Sequence, residues 1–313
     1  MGKLPMGDKL TDMLKKVRQI EIRTNRHVSD ALAGAYHSLF KGRGMDFEEA
    51  REYEPGDEIR SIDWNVTART GKAHVKKYRE ERELTMMIAV DLSASGQFGS
   101  GDLSKRELAA ELASTLAFSA ARNGDKVGLA LFTEGVEHII PPRKGRRHIL
   151  RLIRDILAWE PRKTGTDIAA ALGEINRMLK RRAIVVLISD FLQGPDGRLP
   201  DPGEKLSDPV FKALDMANLR HDLVCFSVSD ARELSMPRGL GTITLEDGET
   251  GEIVALDTNS PAVCAKYEEI NSERMKKFKR ALARSKIDLL ETFTDRPYIS
   301  TLRRFFERRA ARQ

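Results

Sequence analysis

The chain has 313 residues, of which 41% are hydrophobic and 32% are charged, and its formal net charge is +6. This composition excludes both a disordered chain and a membrane-embedded one, and the length allows about two domains of ordinary size. Residues 1–16 lack the apolar block of a signal peptide, and no apolar run reaches the roughly 20 residues of a membrane-spanning helix. We therefore expect a cytoplasmic protein in which Cys225 and Cys264 are buried, structural residues.

Three units are predicted along the chain. Residues 1–41 form an N-terminal amphipathic helical segment, because apolar residues recur there at steps of three and four. Residues 42–83 form a small extended and turn region, since Pro55-Gly56-Asp57 favours a turn. Residues 84–313 alternate short apolar runs with amphipathic stretches. The predicted strands of this third unit are residues 86–90, 127–132, 136–140, 183–188, 223–228 and 287–290. Its predicted helices are residues 104–123, 146–159, 166–182, 208–220 and 260–285, with a basic helix at the end and a β-hairpin insertion near residues 241–257.

Strands that alternate with helices favour an α/β fold with a doubly wound, mostly parallel sheet and helices on both faces. In such a sheet, ligands bind at the carboxyl ends of the strands, near the point where the strand order reverses. Three predicted loops supply oxygen donors at this edge, namely Asp91, Ser93 and Ser95, then Thr166, then Asp190. Oxygen donors are what Mg²⁺ (or Mn²⁺ or Ca²⁺) takes in proteins, so the sequence predicts a divalent-metal site. The alternative is that such side chains only cap helix N-termini, which applies most directly to Thr166 and Asp167, because both precede a predicted helix.

Two motifs carry a family resemblance. The order Asp91-x-Ser93-x-Ser95, then Thr166, then Asp190 resembles the metal-ion-dependent adhesion site of von Willebrand factor A domains. A second motif lies at residues 51–64 and reads R-x-Y-x-P-G-D-x-x-R-x-I-D-W. It is similar to the signature of the bacterial domain-of-unknown-function 58 family, and further similar stretches extend the resemblance over about residues 42–309.

The resemblance implies a von Willebrand A-like (Rossmann-like) fold in which Ser93, Ser95 and Thr166 touch the ion. Asp91 and Asp190 would act directly or through water. Because most direct ligands would be neutral, an open position on the ion could take an acidic side chain of a partner. Proteins of this family are often associated with MoxR-type AAA+ ATPases and are thought to help mature or remodel other complexes. We therefore expect a non-enzymatic, metal-dependent protein-interaction module with no small-molecule substrate.

Two other functions stay open. One is a metal-dependent phosphohydrolase or nuclease that uses Asp91 and Asp190, although no His or Lys stands nearby in sequence as an acid or base. The other is a nucleic-acid or membrane binder that works through the basic C-terminal helix. Residues 262–313 hold 14 Lys and Arg residues against 7 Asp and Glu residues, which is the observation behind it.

Two more segments have a structural and a functional interpretation. The motif at residues 51–64 could be a partner surface, but we expect Ile62 and Trp64 to form a small core, because large aromatic side chains are usually buried. Residues 96–101 are rich in glycine but do not match a phosphate-binding loop. We expect them to form a mobile loop that covers the ion.

Overall fold

The computed structural model describes residues 15–24, 34, 36, 45–80, 83–192, 209–246, 251 and 253–312. The strands are β1 (Met45–Glu52), β2 (His74–Glu80), β3 (Thr85–Asp91), β4 (Lys126–Phe132), β5 (Val136–Arg143), β6 (Ile184–Ser189), β7 (Asp222–Ser229), β8 (Thr242–Glu246), β9 (Ile253–Asp257) and β10 (Asp288–Phe293). The helices, besides a helical stretch at residues 15–24, are α1 (Trp64–Thr70), α2 (Lys105–Arg122), α3 (Arg146–Ala158), α4 (Ile168–Met178), α5 (Pro209–Arg220), α6 (Ala231–Leu234), α7 (Pro261–Arg284) and α8 (Ile299–Ala310). Short 3-10 turns lie at Ile59–Ser61 and Ala94–Gln97.

A six-stranded sheet forms the centre of the fold, with the strand order β10-β7-β6-β3-β4-β5. Its strands are parallel except for the edge strand β5, which pairs antiparallel with β4. The predicted α/β fold with a mostly parallel sheet is therefore confirmed. If the six strands of this sheet are numbered one to six along the chain and read from the β5 edge, the order is 3-2-1-4-5-6. The direction in which strands are added therefore reverses between β3 and β6.

Helices cover both faces of the sheet, which explains why its central strands are continuous apolar runs. In β3, Met86, Ile88 and Val90 face one core, which α2, α3 and α8 also line. Met87 and Ala89 face the other core, which α4, α5 and α7 line. Alternate residues of one strand thus belong to opposite layers, as the two-residue repeat of a strand requires.

Side-chain caps begin four of the helices, α1, α2, α4 and α6. The hydroxyl of Ser104 accepts a hydrogen bond from the backbone N–H of Glu107 (3.2 Å), and Glu107 Oε2 accepts one from the N–H of Ser104 (3.0 Å). This capping box starts α2 where the sequence predicts it. The helix predicted at 166–182 ends early, at Met178, because the buried Leu179 turns to an extended conformation before β6.

Residues 45–80 form a separate small hairpin in which β1 pairs antiparallel with β2 and α1 lies between them. Asp63 caps α1 by accepting hydrogen bonds from the N–H groups of Asn65 (3.0 Å) and Val66 (3.2 Å). The expected small core of Ile62 and Trp64 is wrong: Ile62 is half-buried and Trp64 is 67% exposed. As the first residue of a short helix, Trp64 has no covering layer among the described residues.

The basic C-terminal helix α8 is part of the main core. Leu302, Phe305 and Phe306 are buried beneath it. Its Arg309 is also buried, where it ion-pairs with Asp222 and, at 2.8 Å, with Asp288. Part of the positive charge that the sequence places here is therefore neutralised inside the fold.

Two expectations from composition concern other parts of the molecule. Cys225 and Cys264 are both buried and unpaired, and burial raises the pKa of the Cys225 thiol. Among the described residues, every helix is too short or too polar to cross a bilayer.

A β8–β9 hairpin lies where the insertion is predicted, although residues 247–250 at its tip fall outside the described residues.

Replacing Leu302 with Ala tests whether α8 is structural. Leu302 is fully buried, so we expect the unfolding free energy to fall by about 2–5 kcal/mol, as large-to-small core changes do. The matched control is Leu219→Ala in α5, where the side chain is 81% exposed and the change should stay within about 0.5 kcal/mol. Urea denaturation measures both values, and equal effects would show that α8 is not part of the core.

Candidate functional site

The predicted site lies at the point where the strand order reverses. In the register of β3 against β6, Val90 is opposite Ile188, so the carboxyl ends of the two strands lie side by side. Asp91 is the last residue of β3, and Asp190 directly follows β6. The fold thus brings together two carboxylates that are 99 positions apart in the sequence.

Asp91 is held by hydrogen bonds from both strand ends. Its Oδ1 accepts the backbone N–H of Ser93 (2.9 Å), and its Oδ2 accepts the hydroxyl of Ser189 (2.7 Å). Burial raises the pKa of Asp91 to about 7, and the negative charge of Asp190 acts in the same direction. These hydrogen bonds lower that pKa but do not cancel the rise.

The two serines of the D-x-S-x-S motif face the same space as Asp91. Their hydroxyl oxygens are 3.0 Å apart. A small cavity of about 20 Å³ is lined by Asp91, Ser93, Ser95 and Asp190, together with Lys105. A volume of this size has room for one water-sized particle.

Thr166 is buried on the loop that leads into α4. That loop contacts the D-x-S-x-S segment through the backbone, because the N–H of Ala94 donates to the carbonyl of Thr164 (3.0 Å). The helix cap is Asp167, whose side chain accepts the N–H of Ala170 (2.8 Å). The capping alternative therefore accounts for Asp167, and the Thr166 hydroxyl does not serve as the cap.

Lys105 is a site residue that the sequence analysis missed. Its ammonium lies 2.7 Å from Asp190 Oδ2 and also bonds Glu233 Oε1, and its side chain is only 2% exposed. Burial acts to lower the pKa of Lys105, but Asp190 and Glu233 outweigh it and the pKa is raised. No Lys is close to Asp91 or Asp190 in the sequence, but the fold places Lys105 beside Asp190.

The backbone after Asp190 is strained. Phe191 has φ of 55°, in the left-handed region that a bulky residue rarely adopts. The conformation is held because the Phe191 N–H donates to Ser189 Oγ (2.9 Å) and its ring packs 4.6 Å from that of Phe278. Strain of this kind is characteristic of sites where the surrounding structure fixes a particular geometry.

Asp230, at the end of β7, connects the site to the neighbouring loop. Its carboxylate accepts hydrogen bonds from the Ser100 N–H (2.8 Å), the Ser100 hydroxyl (2.6 Å) and the Thr294 hydroxyl (2.5 Å). Burial alone would raise the pKa of Asp230, but these bonds, with one from the Arg232 N–H, hold it at about 2. Residues 96–101, expected to be a mobile loop, are thus tied to β7 and β10 through Ser100.

The oxygen donors at this cavity determine which metal ion it could hold. Within the described residues, no three His, Cys, Asp or Glu side chains come together as a metal-binding group. The cavity instead offers two carboxylates and three hydroxyls as oxygen donors, and Lys105 and Arg106 line it as well. Such a set suits a hard cation that keeps several waters, as Mg²⁺ does. The residues present fit that kind of ion and do not fit zinc.

A larger cleft lies elsewhere. It has a volume of about 960 Å³ and is lined by residues near Leu103, Glu111 and Tyr298. None of the five residues predicted for the metal site lines it. The chemistry of the smaller cavity, rather than size, identifies the candidate site.

Fold and site together define a mixed α/β domain with an oxygen-lined, carboxylate-bearing site at the carboxyl edge of its parallel sheet. The chain belongs to the family described as protein of unknown function DUF58, whose model matches residues 49–277.

The relatives differ in how much of this length they share. The uncharacterized protein Rv1480 of Mycobacterium tuberculosis (strain ATCC 25618 / H37Rv) is 30% identical over 291 residues, which cover 92% of this chain and 87% of that protein. The uncharacterized protein YeaD of Bacillus subtilis (strain 168) is 23% identical over 131 residues, or 42% of this chain and 30% of that protein. Among solved structures, the conserved hypothetical protein BatB from Bacteroides thetaiotaomicron aligns with a TM-score of 0.43 and 16% identity, over 73% of this chain and 99% of that one.

Replacing Asp230 with Asn tests the hydrogen bonds that tie the loop to β7. We expect the variant to lose about 2 kcal/mol of unfolding free energy at neutral pH, since bonds to a charged acceptor are lost. The pKa of Asp230 in the folded protein is about 2, below the ordinary value of 3.8 for an aspartate. The stabilisation by the ionised carboxylate is therefore fully present above pH 3.8 and is lost as the pH falls through the folded-state pKa.

The difference in unfolding free energy between wild type and Asp230→Asn should therefore narrow as the pH falls below 3.8, the ordinary pKa of an aspartate. Urea denaturation across a pH series measures this difference. Asp102→Asn, at an exposed position of the same loop, serves as the control and should change little. A difference that stays constant down to about pH 2 would contradict the assignment.

Proposed function

We propose that this chain is a non-enzymatic protein-interaction module with a von Willebrand A-like domain, and that its site binds Mg²⁺ (or Mn²⁺ or Ca²⁺). The observation that carries the proposal is the convergence of Asp91 and Asp190 with Ser93 and Ser95 on one cavity of about 20 Å³. Thr166 would join from the loop into α4. The antiparallel edge strand on an otherwise parallel sheet is compatible with the proposed fold.

The proposed ion would bind an acidic side chain of a partner protein. Two carboxylates and hydroxyl groups leave a divalent ion short of ligands, so water or an outside oxygen would complete its coordination. A MoxR-type AAA+ ATPase is the partner class we propose, and the maturation or remodelling of another complex is the proposed role. These two elements rest on the family resemblance, and the geometry supports the proposal only through the oxygen donors gathered at one cavity.

The alternative of a phosphohydrolase or nuclease has one observation in its favour, which is Lys105 beside Asp190. Its ammonium is buried and bonded to two carboxylates, so it is poorly placed to exchange protons with a substrate. Binding through the basic C-terminal helix would lack one of its cations, because Arg309 is engaged with Asp222 and Asp288 inside the fold.

Replacing Asp91 with Ala tests metal binding directly. We expect wild type to bind Mn²⁺ and Mg²⁺ in calorimetric titration and Asp91→Ala to show no binding, because the variant loses one of two carboxylate donors. Asp102→Ala removes an exposed acid and should leave the affinity unchanged. Melting curves in EDTA check that both variants fold.

Partner binding is tested with a purified MoxR-type AAA+ ATPase from the same genome. We expect the complex to form in Mg²⁺ with wild type and with Asp102→Ala, and to be lost in EDTA or with Asp91→Ala. Equal partner affinity in EDTA and in Mg²⁺ would refute the metal-dependent function.

A further inference from the structure

Lys105 occupies a position that helix physics does not favour. It is the first residue of α2, and a cation there lies at the positive end of the helix dipole. Its side chain is 2% exposed, which removes a strongly hydrated ammonium from water. Neither feature helps α2 to form, so the reason for the lysine must lie in the two carboxylates that it contacts.

Those two carboxylates have different settings. Asp190, 5% exposed, belongs to the cavity proposed for the ion, and its Oδ1 already accepts the N–H of Leu192 (3.0 Å). Glu233, 19% exposed, lies outside the residues that line the cavity. It is fixed in α6, where its Oε2 accepts the N–H of Asp230 (2.9 Å). Lys105 therefore joins the metal site to a second acid that stays in place.

We propose that Lys105 is an internal counter-ion that competes with the divalent cation for Asp190 and thereby sets the metal affinity of the site. This inference rests on the metal-dependent function proposed above. Two cations that share one buried carboxylate repel each other, so binding of the divalent ion weakens the contact between Lys105 and Asp190. Glu233 then holds the ammonium, and the buried charge is never left without a partner.

The competition predicts opposite effects on metal affinity for substitutions of Lys105 and of Glu233. In Lys105→Met, an apolar side chain of similar length removes the competing charge, and we expect Mn²⁺ to bind about tenfold more tightly than to wild type. In Glu233→Gln, Lys105 loses its second acid and depends on Asp190 alone, so we expect Mn²⁺ to bind more weakly. Lys126→Met is the control, because Lys126 is exposed and pairs with Glu83 at 2.9 Å.

A double-mutant cycle separates competition from a general effect of charge. If Glu233 acts through Lys105, the weakening by Glu233→Gln disappears in the Lys105→Met background. Titration calorimetry with Mn²⁺ measures the four affinities, and melting curves in EDTA check folding. Should Lys105→Met fail to fold, Glu233→Gln against wild type decides, and unchanged or tighter binding there overturns the inference.

Two failures can be told apart. If wild type binds Mn²⁺ through Asp91 but Lys105→Met binds within about twofold of it, or more weakly, the competition is refuted and the proposed metal site stands. A Glu233→Gln effect that persists without Lys105 refutes the competition as well. If neither wild type nor Lys105→Met binds Mn²⁺, the proposed metal-dependent function fails and this inference fails with it.

Discussion

The constraint on which this structure depends is the burial of two carboxylates at adjacent ends of parallel strands. The register of β3 against β6 brings Asp91 and Asp190 to one point, and each is at most 9% exposed. Ionised carboxylates in such a place must be compensated by hydrogen bonds, by opposite charge or by a bound cation. Ser189 and the Ser93 N–H serve Asp91, whereas Lys105 serves Asp190. The strained φ of Phe191 is part of the same arrangement, because its N–H fixes the Ser189 hydroxyl.

This compensation extends across the carboxyl edge of the sheet. Lys105 connects the start of α2 to Glu233 after β7, and Glu233 bonds the backbone of Asp230. Asp230 in turn holds Thr294 after β10 and Ser100 in the loop before α2. The ends of four strands are therefore joined by one continuous set of polar contacts. Asp190 and Thr294 therefore belong to the same set of buried polar contacts, although they follow different strands.

The sequence predicts what local chemistry determines. Continuous apolar runs indicate strands covered on both faces, the Ser104–Glu107 capping box locates α2, and the position after a strand identifies Asp91 and Asp190 as neighbours at one edge. Lys105 cannot be found in this way, since a lysine in a first helical turn is normally solvated, and its 85-residue separation from Asp190 is closed only by tertiary packing. The prediction that Trp64 is buried was wrong for a related reason. The residue type favours burial, but the exposure of Trp64 depends on whether another layer covers α1, and no local sequence pattern determines that.

The size and charge of the cavity bear on the two functions proposed for it, recognition and hydrolysis. Two-metal hydrolases place their ions about 3.5–4 Å apart and need several anionic ligands to hold both. Here about 20 Å³ and two carboxylates, one of them shared with Lys105, provide for a single ion at most. A lone ion with so few protein ligands would need oxygen from outside the domain. Lys105 neutralises part of the negative charge of Asp190, and a carboxylate from another protein would supply negative charge in its place. In the function proposed here, the internal lysine and the shortage of ligands would act in the same direction, toward a site completed by a partner.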